Sequence, residues 1–138
     1  MQSHAAWLFQ TTKNLEESML LVAQVLTGLV LLIHVYIVLL ETVLFKSRGG
    51  KVFGLSKDKM EIVAPAMTNQ GFYNGFLVAA LLLGFLVPDK SIAGAFTLYG
   101  LWCVAAAGIV GALTVQVRIL FVQTVPAAAA LIAIFLSH

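Results

Sequence analysis

Glu41 and His34 are ionisable side chains set in apolar surroundings, and Tyr73 is a phenol beside three side-chain amides. A charge at the centre of a membrane helix costs about 2.5–3.5 kcal/mol on insertion scales, so such residues mark function or pairing. His34 and Glu41 are candidate proton carriers, as general acid or base, and Tyr73 is the group that would orient or polarise a ligand. Asn69, Gln70, Tyr73 and Asn74 put polar side chains into a short stretch, more than helix association needs. With Tyr36, Arg118 and Gln123 they form the expected ligand-binding set, in which Arg118 would hold an anionic group through its donor fork. Plainer roles stand beside these. Glu41 could pair with Arg118 or Lys46, His34 could be a neutral ring bonded between helices, and Arg118 could snorkel from a helix end. Haem ligation is a further role open to His34. Cys103, the only cysteine, lies in an apolar stretch, so neither an intrachain disulfide nor a cysteine-based metal site is expected. Trp102 and Tyr99 near it read as packing or interfacial anchors.

These residues need elements to position them, and composition says which. The chain has 138 residues, 61% hydrophobic and 10% charged, against roughly 45–50% apolar and about 25% charged in a soluble domain. Eight basic and six acidic residues leave +2, too slight and too scattered for a nucleic-acid surface. A bilayer core about 30 Å thick takes roughly 20 apolar residues of helix. Four stretches meet that test, over about 19–45, 66–87, 91–117 and 119–136. The expected fold is therefore an all-α integral membrane protein, a four-transmembrane-helix bundle forming a single membrane domain over 1–138. Polar residues precede the first run, among them Lys13, Glu16 and Glu17, and no small-residue cleavage pattern follows it, so it reads as a retained helix. Residues 1–17, with Trp7 and Phe9, could lie at the interface as an amphipathic turn or helix.

The loop 46–65 holds Lys46, Arg48, Lys51, Lys57 and Lys59. Arg118 falls on the same side, and only Lys13 and Lys90 fall opposite. The positive-inside rule makes that loop cytoplasmic and puts both termini outside, in a bacterial inner membrane. Within it, Arg48-Gly-Gly-Lys51 predicts a turn, and Ser56 an N-cap for a short amphipathic helix through Ile62. No internal repeat of the kind common in transporters is visible.

Helical periodicity sets the faces. On the first span Gln24, Thr27, His34 and Glu41 form one stripe, since seven residues return to within about 20°. On the second, Gly71, Gly75 and Ala79 predict a close-packing seam, with Asn69, Gln70, Tyr73 and Asn74 on the roughly opposite arc. On the third, Gly100, Ala107, Gly111 and Arg118 share a face; on the fourth, Gln123, Ala127 and Ala130 do. Pro126 frees the carbonyl of Val122 and predicts a kink. Glu41, Asn69, Gln70, Arg118 and Gln123 all fall within roughly two turns of the cytoplasmic boundary and can meet there, with His34 roughly 10 Å deeper.

Five blocks carry a resemblance: His34-Val-Tyr36 to Glu41, Lys51-Val-Phe-Gly54, Thr68-Asn-Gln-Gly-Phe-Tyr-Asn-Gly-Phe76, Gly108 to Thr114, and Gln123 to Ala127. In these the chain resembles a family of small bacterial membrane proteins known as domain of unknown function 1304. The resemblance implies a four-helix membrane protein and brings no activity with it. More loosely, the layout looks like the four-helix membrane-associated proteins of eicosanoid and glutathione metabolism, homotrimers with sites between subunits. The second span lacks the arginine that those enzymes place beside their Asn and Glu, which argues against glutathione. Membrane epoxide isomerases of similar layout bind haem between subunits, which is the resemblance's version of the haem role for His34.

The leading expectation is an enzyme or binding protein for a lipophilic small molecule, with a polar intramembrane site near the cytoplasmic side. Its partners would be membrane lipids and further copies of the chain, a trimer favoured. The alternative is an oligomeric proton-coupled transporter or channel, with the stripe from Gln24 through His34 to Glu41 as its path. A structural membrane subunit, in which the polar cluster only fixes helix register, is the third reading.

Overall fold

The computed structural model describes residues 4–137, so His138, expected to be solvated, lies outside the described residues. All regular structure among them is helical: α1 His4–Glu41, a π-helical turn Phe45–Gly49, α2 Gly50–Phe53, α3 Lys57–Leu86, α4 Lys90–Thr114, a second π turn Leu120–Thr124, and α5 Val125–Leu136. Three of these, α1, α3 and α4, are long and apolar enough to cross a membrane, and Leu120–Leu136 is a shorter apolar helix. By length and composition the chain is an integral membrane protein.

Helix α1 starts well before the expected residue 19. The polar approach is helical because its side chains pair along it: Gln10 donates to Asn14 at 3.0 Å, and Lys13 lies 3.9 Å from Glu17. Such i,i+4 pairs each add a few tenths of a kcal/mol to a helix. At 1.5 Å per residue α1 is roughly 57 Å long, about twice the thickness of a hydrocarbon core. The helix expected from Ser56 to Ile62 is no separate element either; it is the first part of α3, which runs on through Pro65. Ser56 does take the N-cap position, with extended φ and ψ of −68° and 161°, but its hydroxyl makes no capping bond. At the other end Asp89 Oδ1 caps α4, accepting from the amides of Ser91 and Ile92 at 2.9 and 3.0 Å.

The turn expected at Arg48-Gly-Gly-Lys51 is helical instead, and the left-handed residue is Gly54, whose φ of 67° ends α2 while its N–H bonds the Gly50 carbonyl. Gly49 and Gly50 are small for a different reason. A Cβ at Gly49 would come within 2.6 Å of the Phe45 ring, and one at Gly50 within 2.7 Å of the Met60 sulfur.

The chain forms two compact units, Leu31–Gly100 and Met1–Val30 with Leu101–His138. In the first, glycines set the approach of the helices. A Cβ at Gly71 of α3 would lie 2.5 Å from Thr42 Cγ2 and 3.2 Å from Glu41 Cβ, and one at Gly84 would run into the Thr97 hydroxyl of α4. Gly100 of α4 admits Leu81, which is fully buried. The seam of α3 is thus Gly71, Asn74 and Leu81, not Gly71, Gly75 and Ala79: Gly75 has open space where its Cβ would be, and Ala79 is exposed.

In the second unit Gly108 of α4 meets the backbone and hydroxyl of Thr124, and that hydroxyl donates to the Ala105 carbonyl at 3.0 Å. Gly111 sits against Ile119. Gly108 takes the packing position expected of Ala107, which is exposed, and Arg118 lies beyond the end of α4 at Thr114. Helix α5 buries Ala127 and Ala130 as expected, with Leu131 and Ala133. The disturbance expected from Pro126 takes the form of the π turn before it, where the Val125 amide bonds the Leu120 carbonyl.

The two α3 glycines separate these seams by experiment. Gly71→Val should destabilise the folded protein by about 1–3 kcal/mol through overpacking against Thr42, whereas Gly75→Ala should stay within roughly 0.5 kcal/mol. Unfolding in mixed detergent micelles measures both, and equal effects would reject the seam at Gly71.

Candidate functional site

Along α1 the buried positions Ala23, Thr27, Val30, His34 and Glu41 follow steps of four, three, four and seven, with Leu40 also buried next to Glu41. That is the a/d spacing of a helix packed along one stripe. Three of the four polar residues expected on the stripe are therefore inside, with Thr27, His34 and Glu41 exposed by 2%, 0% and 7%. Gln24 is outside. Thr27 satisfies its hydroxyl locally by donating to the Ala23 carbonyl at 2.8 Å.

Glu41 is the last residue of α1, and Gly71 brings the backbone of α3 against it. One turn further along α3, Asn74 Nδ2 donates to Glu41 Oε2 at 2.7 Å, both side chains buried. The partner of Glu41 is thus an amide and not Lys46. In hydrocarbon surroundings neither polar group can turn to water, so each supplies what the other needs.

Within the unit Leu31–Gly100, the other expected site residues do not gather around this pair. Asn69, Gln70 and Tyr73 face away from the packed side of α3; Tyr73 is 58% exposed, with its ring edge-on to Phe76 at 6.1 Å between centroids. Tyr36 is also exposed. Helical geometry explains the split: Asn74 lies about 60° from Gly71 on the seam, whereas Tyr73 lies about 160° from it. Arg118 and Gln123 belong to the other unit, the first exposed and the second half-buried beside Gly108. The His34 ring has no exposed surface. Among the described residues no group of three or more His, Cys, Asp or Glu could hold a metal ion.

A cavity of about 880 Å³ lies elsewhere in the unit Leu31–Gly100, between the first π turn, α2 and the first turns of α3. Phe45, Leu55, Met60 and Ala64 supply its apolar wall. Lys46, Lys51 and Lys57 bring three cations against the single carboxylate of Glu61, and Ser47 and Thr68 bring hydroxyls. Phe45 is buried because Gly49 leaves room for its ring, and Gly50 lets Met60 approach, so the two glycines shape this groove. In the sequence these lysines signal orientation only. The available hint of a site was apolar Phe45, Leu55 and Met60 recurring among them.

A family model matches residues 28–135, described as a protein of unknown function (DUF1304). The chain belongs to that family. The matched segment takes in the Glu41–Asn74 pair, the groove, α3, α4 and nearly all of α5, and leaves out the polar first part of α1. No curated protein and no solved structure gives a significant match, which leaves the looser resemblance to proteins of eicosanoid and glutathione metabolism unconfirmed.

The Glu41–Asn74 bond can be measured directly. Interhelical hydrogen bonds in membrane proteins average about 0.6 kcal/mol and reach about 1.7 kcal/mol in double-mutant cycles. The cycle of Glu41→Ala and Asn74→Ala should give a coupling in that range, read from unfolding in micelles. A coupling near zero would mean that the two groups do not depend on each other.

Proposed function

We propose that the chain is a membrane-embedded binding protein for a lipophilic small molecule with an anionic polar end, and that the groove beside α2 receives that end. The groove carries this reading: an apolar wall and three lysines line an open groove of about 880 Å³, a volume suited to a small molecule or a lipid headgroup. The site thereby moves from the side chains named in the sequence to the neighbouring basic segment. Lys46, Lys51 and Lys57 take the part expected of Arg118, and the Glu41–Asn74 pair holds α1 to α3 behind them. Binding fits better than turnover, because the proposed proton carriers His34 and Glu41 are packed inside while the groove is lined by solvated amines.

In this reading Leu120–Leu136 is a fourth crossing, the basic groove lies on the cytoplasmic face of a bacterial inner membrane, both termini are outside, and the protein works as a homo-oligomer. The excess of Lys and Arg around the groove supports the orientation. A proton path is the second reading, supported by the burial of His34 and Glu41 on one stripe of α1.

Native mass spectrometry of gently purified protein tests the proposal. A retained amphiphile is expected, and Ala64→Phe, which fills the groove from its apolar wall, should lower retention at least tenfold without changing the helical signal. Retention that is unaffected by filling the groove would place the ligand elsewhere. Proton flux in liposomes, abolished by Glu41→Gln, would favour the second reading.

A further inference from the structure

The groove's hydrogen-bonding character narrows its ligand, given the binding role just proposed. Both of its hydroxyls spend their protons on the backbone. Ser47 donates to the Leu44 carbonyl at 3.1 Å, and Thr68 donates to the Ala64 carbonyl at 3.0 Å. A hydroxyl has one proton to give and two lone pairs to offer, so each remains an acceptor. Glu61 adds the two acceptor oxygens of its carboxylate. Pro65 has no amide proton, so the carbonyl four residues earlier, that of Glu61 itself, loses its helical donor. Four acceptor groups from lining residues stand beside three ammonium groups.

A simple anion matches only half of this lining. An inorganic phosphate or a fatty acid would meet the lysines and bring the acceptors nothing, or repulsion at Glu61. A zwitterionic choline headgroup offers a positive charge to Glu61 but has no hydrogen-bond donor, because its nitrogen is fully methylated. An ethanolamine headgroup brings donors and a positive charge for Glu61, but it is neutral overall, whereas the lining has three lysines against one carboxylate. A phosphate next to free hydroxyls keeps its negative charge and supplies the donors, with an apolar portion for Phe45, Leu55 and Met60.

We infer that the groove between the first π turn, α2 and α3 binds the hydroxyl-bearing headgroup of an anionic phospholipid. The phosphate lies against Lys46, Lys51 and Lys57, and the headgroup hydroxyls donate to Glu61, Ser47 and Thr68. The uncapped start of α3 favours the same charge, since Ser56 makes no side-chain bond to its first amides and Lys57 opens the helix on the groove wall. A lipid is committed to over a soluble polyol phosphate because the apolar wall would otherwise face water.

The test uses the full chain in phosphatidylcholine nanodiscs, with phosphatidylglycerol, or the same lipid methylated at its headgroup hydroxyls, added at equal fractions. Retained lipid is counted by native mass spectrometry. Phosphatidylglycerol should be enriched over both other lipids. Lys51→Ala and Lys57→Ala should each lower the retention of both anionic lipids about fivefold, from roughly 1 kcal/mol per basic residue at a membrane surface. Glu61→Gln, which keeps an acceptor oxygen but removes the charge, should retain much of the preference for free hydroxyls, whereas Glu61→Ala should reduce it and leave anionic retention undiminished. Helical circular dichroism monitors folding of all four variants. Equal retention of the free and methylated lipids would overturn the headgroup assignment while leaving an anion site. No enrichment of either anionic lipid would overturn the assignment and count against the groove as an anion site. Displacement of the lipid by millimolar glycerol phosphate would assign the site to a soluble ligand and overturn the lipid.

Discussion

In hydrocarbon a backbone or side-chain polar group has no water to fall back on, and the contact between α1 and α3 is organised by that constraint. Glu41 ends α1 as a buried carboxyl, and it is tolerable there because Asn74 reaches it at 2.7 Å. The bond in turn requires close helices, which Gly71 permits by presenting no side chain to Thr42 and Glu41. Lengthening that approach by a single methyl group would weaken both the packing and the hydrogen bond. Beyond Glu41 the chain enters the π turn that carries Phe45 and Lys46 into the groove wall, so the pair also anchors one side of the proposed site.

Glycine serves two kinds of task in this chain. Gly71, Gly84 and Gly108 face neighbouring threonines, an arrangement that lets backbones come close where there is no hydrophobic driving force between helices. Gly108 adds a hydrogen bond to this, since the hydroxyl of the Thr124 it admits is bound by the Ala105 carbonyl. Gly49 and Gly50 instead make room for side chains, Phe45 and Met60, and so give the basic segment a folded wall. That wall turns a run of lysines, which by itself would only orient the protein in a membrane, into a surface with depth and an acceptor pattern.

Much of this was legible in the amino-acid order. Apolar stretches of sufficient length mark the membrane helices, because burying backbone in lipid leaves helices as the only open-chain solution. Seven-residue spacing puts Thr27, His34 and Glu41 on one stripe, and all three are buried. The helix ends were less legible. The polar start of α1 and the charged start of α3 continue as helix, since side-chain pairing and backbone propensity act independently of hydropathy. On α3 the glycine spacing of four suggested Gly75 as a seam residue, but one helix face cannot accommodate a partner at every small residue.

The sequence by itself determined that the chain is helical, that it is built for a membrane, and that Glu41 and His34 are anomalies requiring an explanation. Those properties follow from composition and period, which are local. Which polar groups meet was decided only by tertiary structure. Asn74 was separated from Asn69, Gln70 and Tyr73 because angular position around α3, about 100° apart for Tyr73 and Asn74, decides whether a side chain meets α1 or points outward. The groove was likewise invisible, since a cavity exists only where the π turn, α2 and α3 come together, and no spacing along one of them encodes the space between all three.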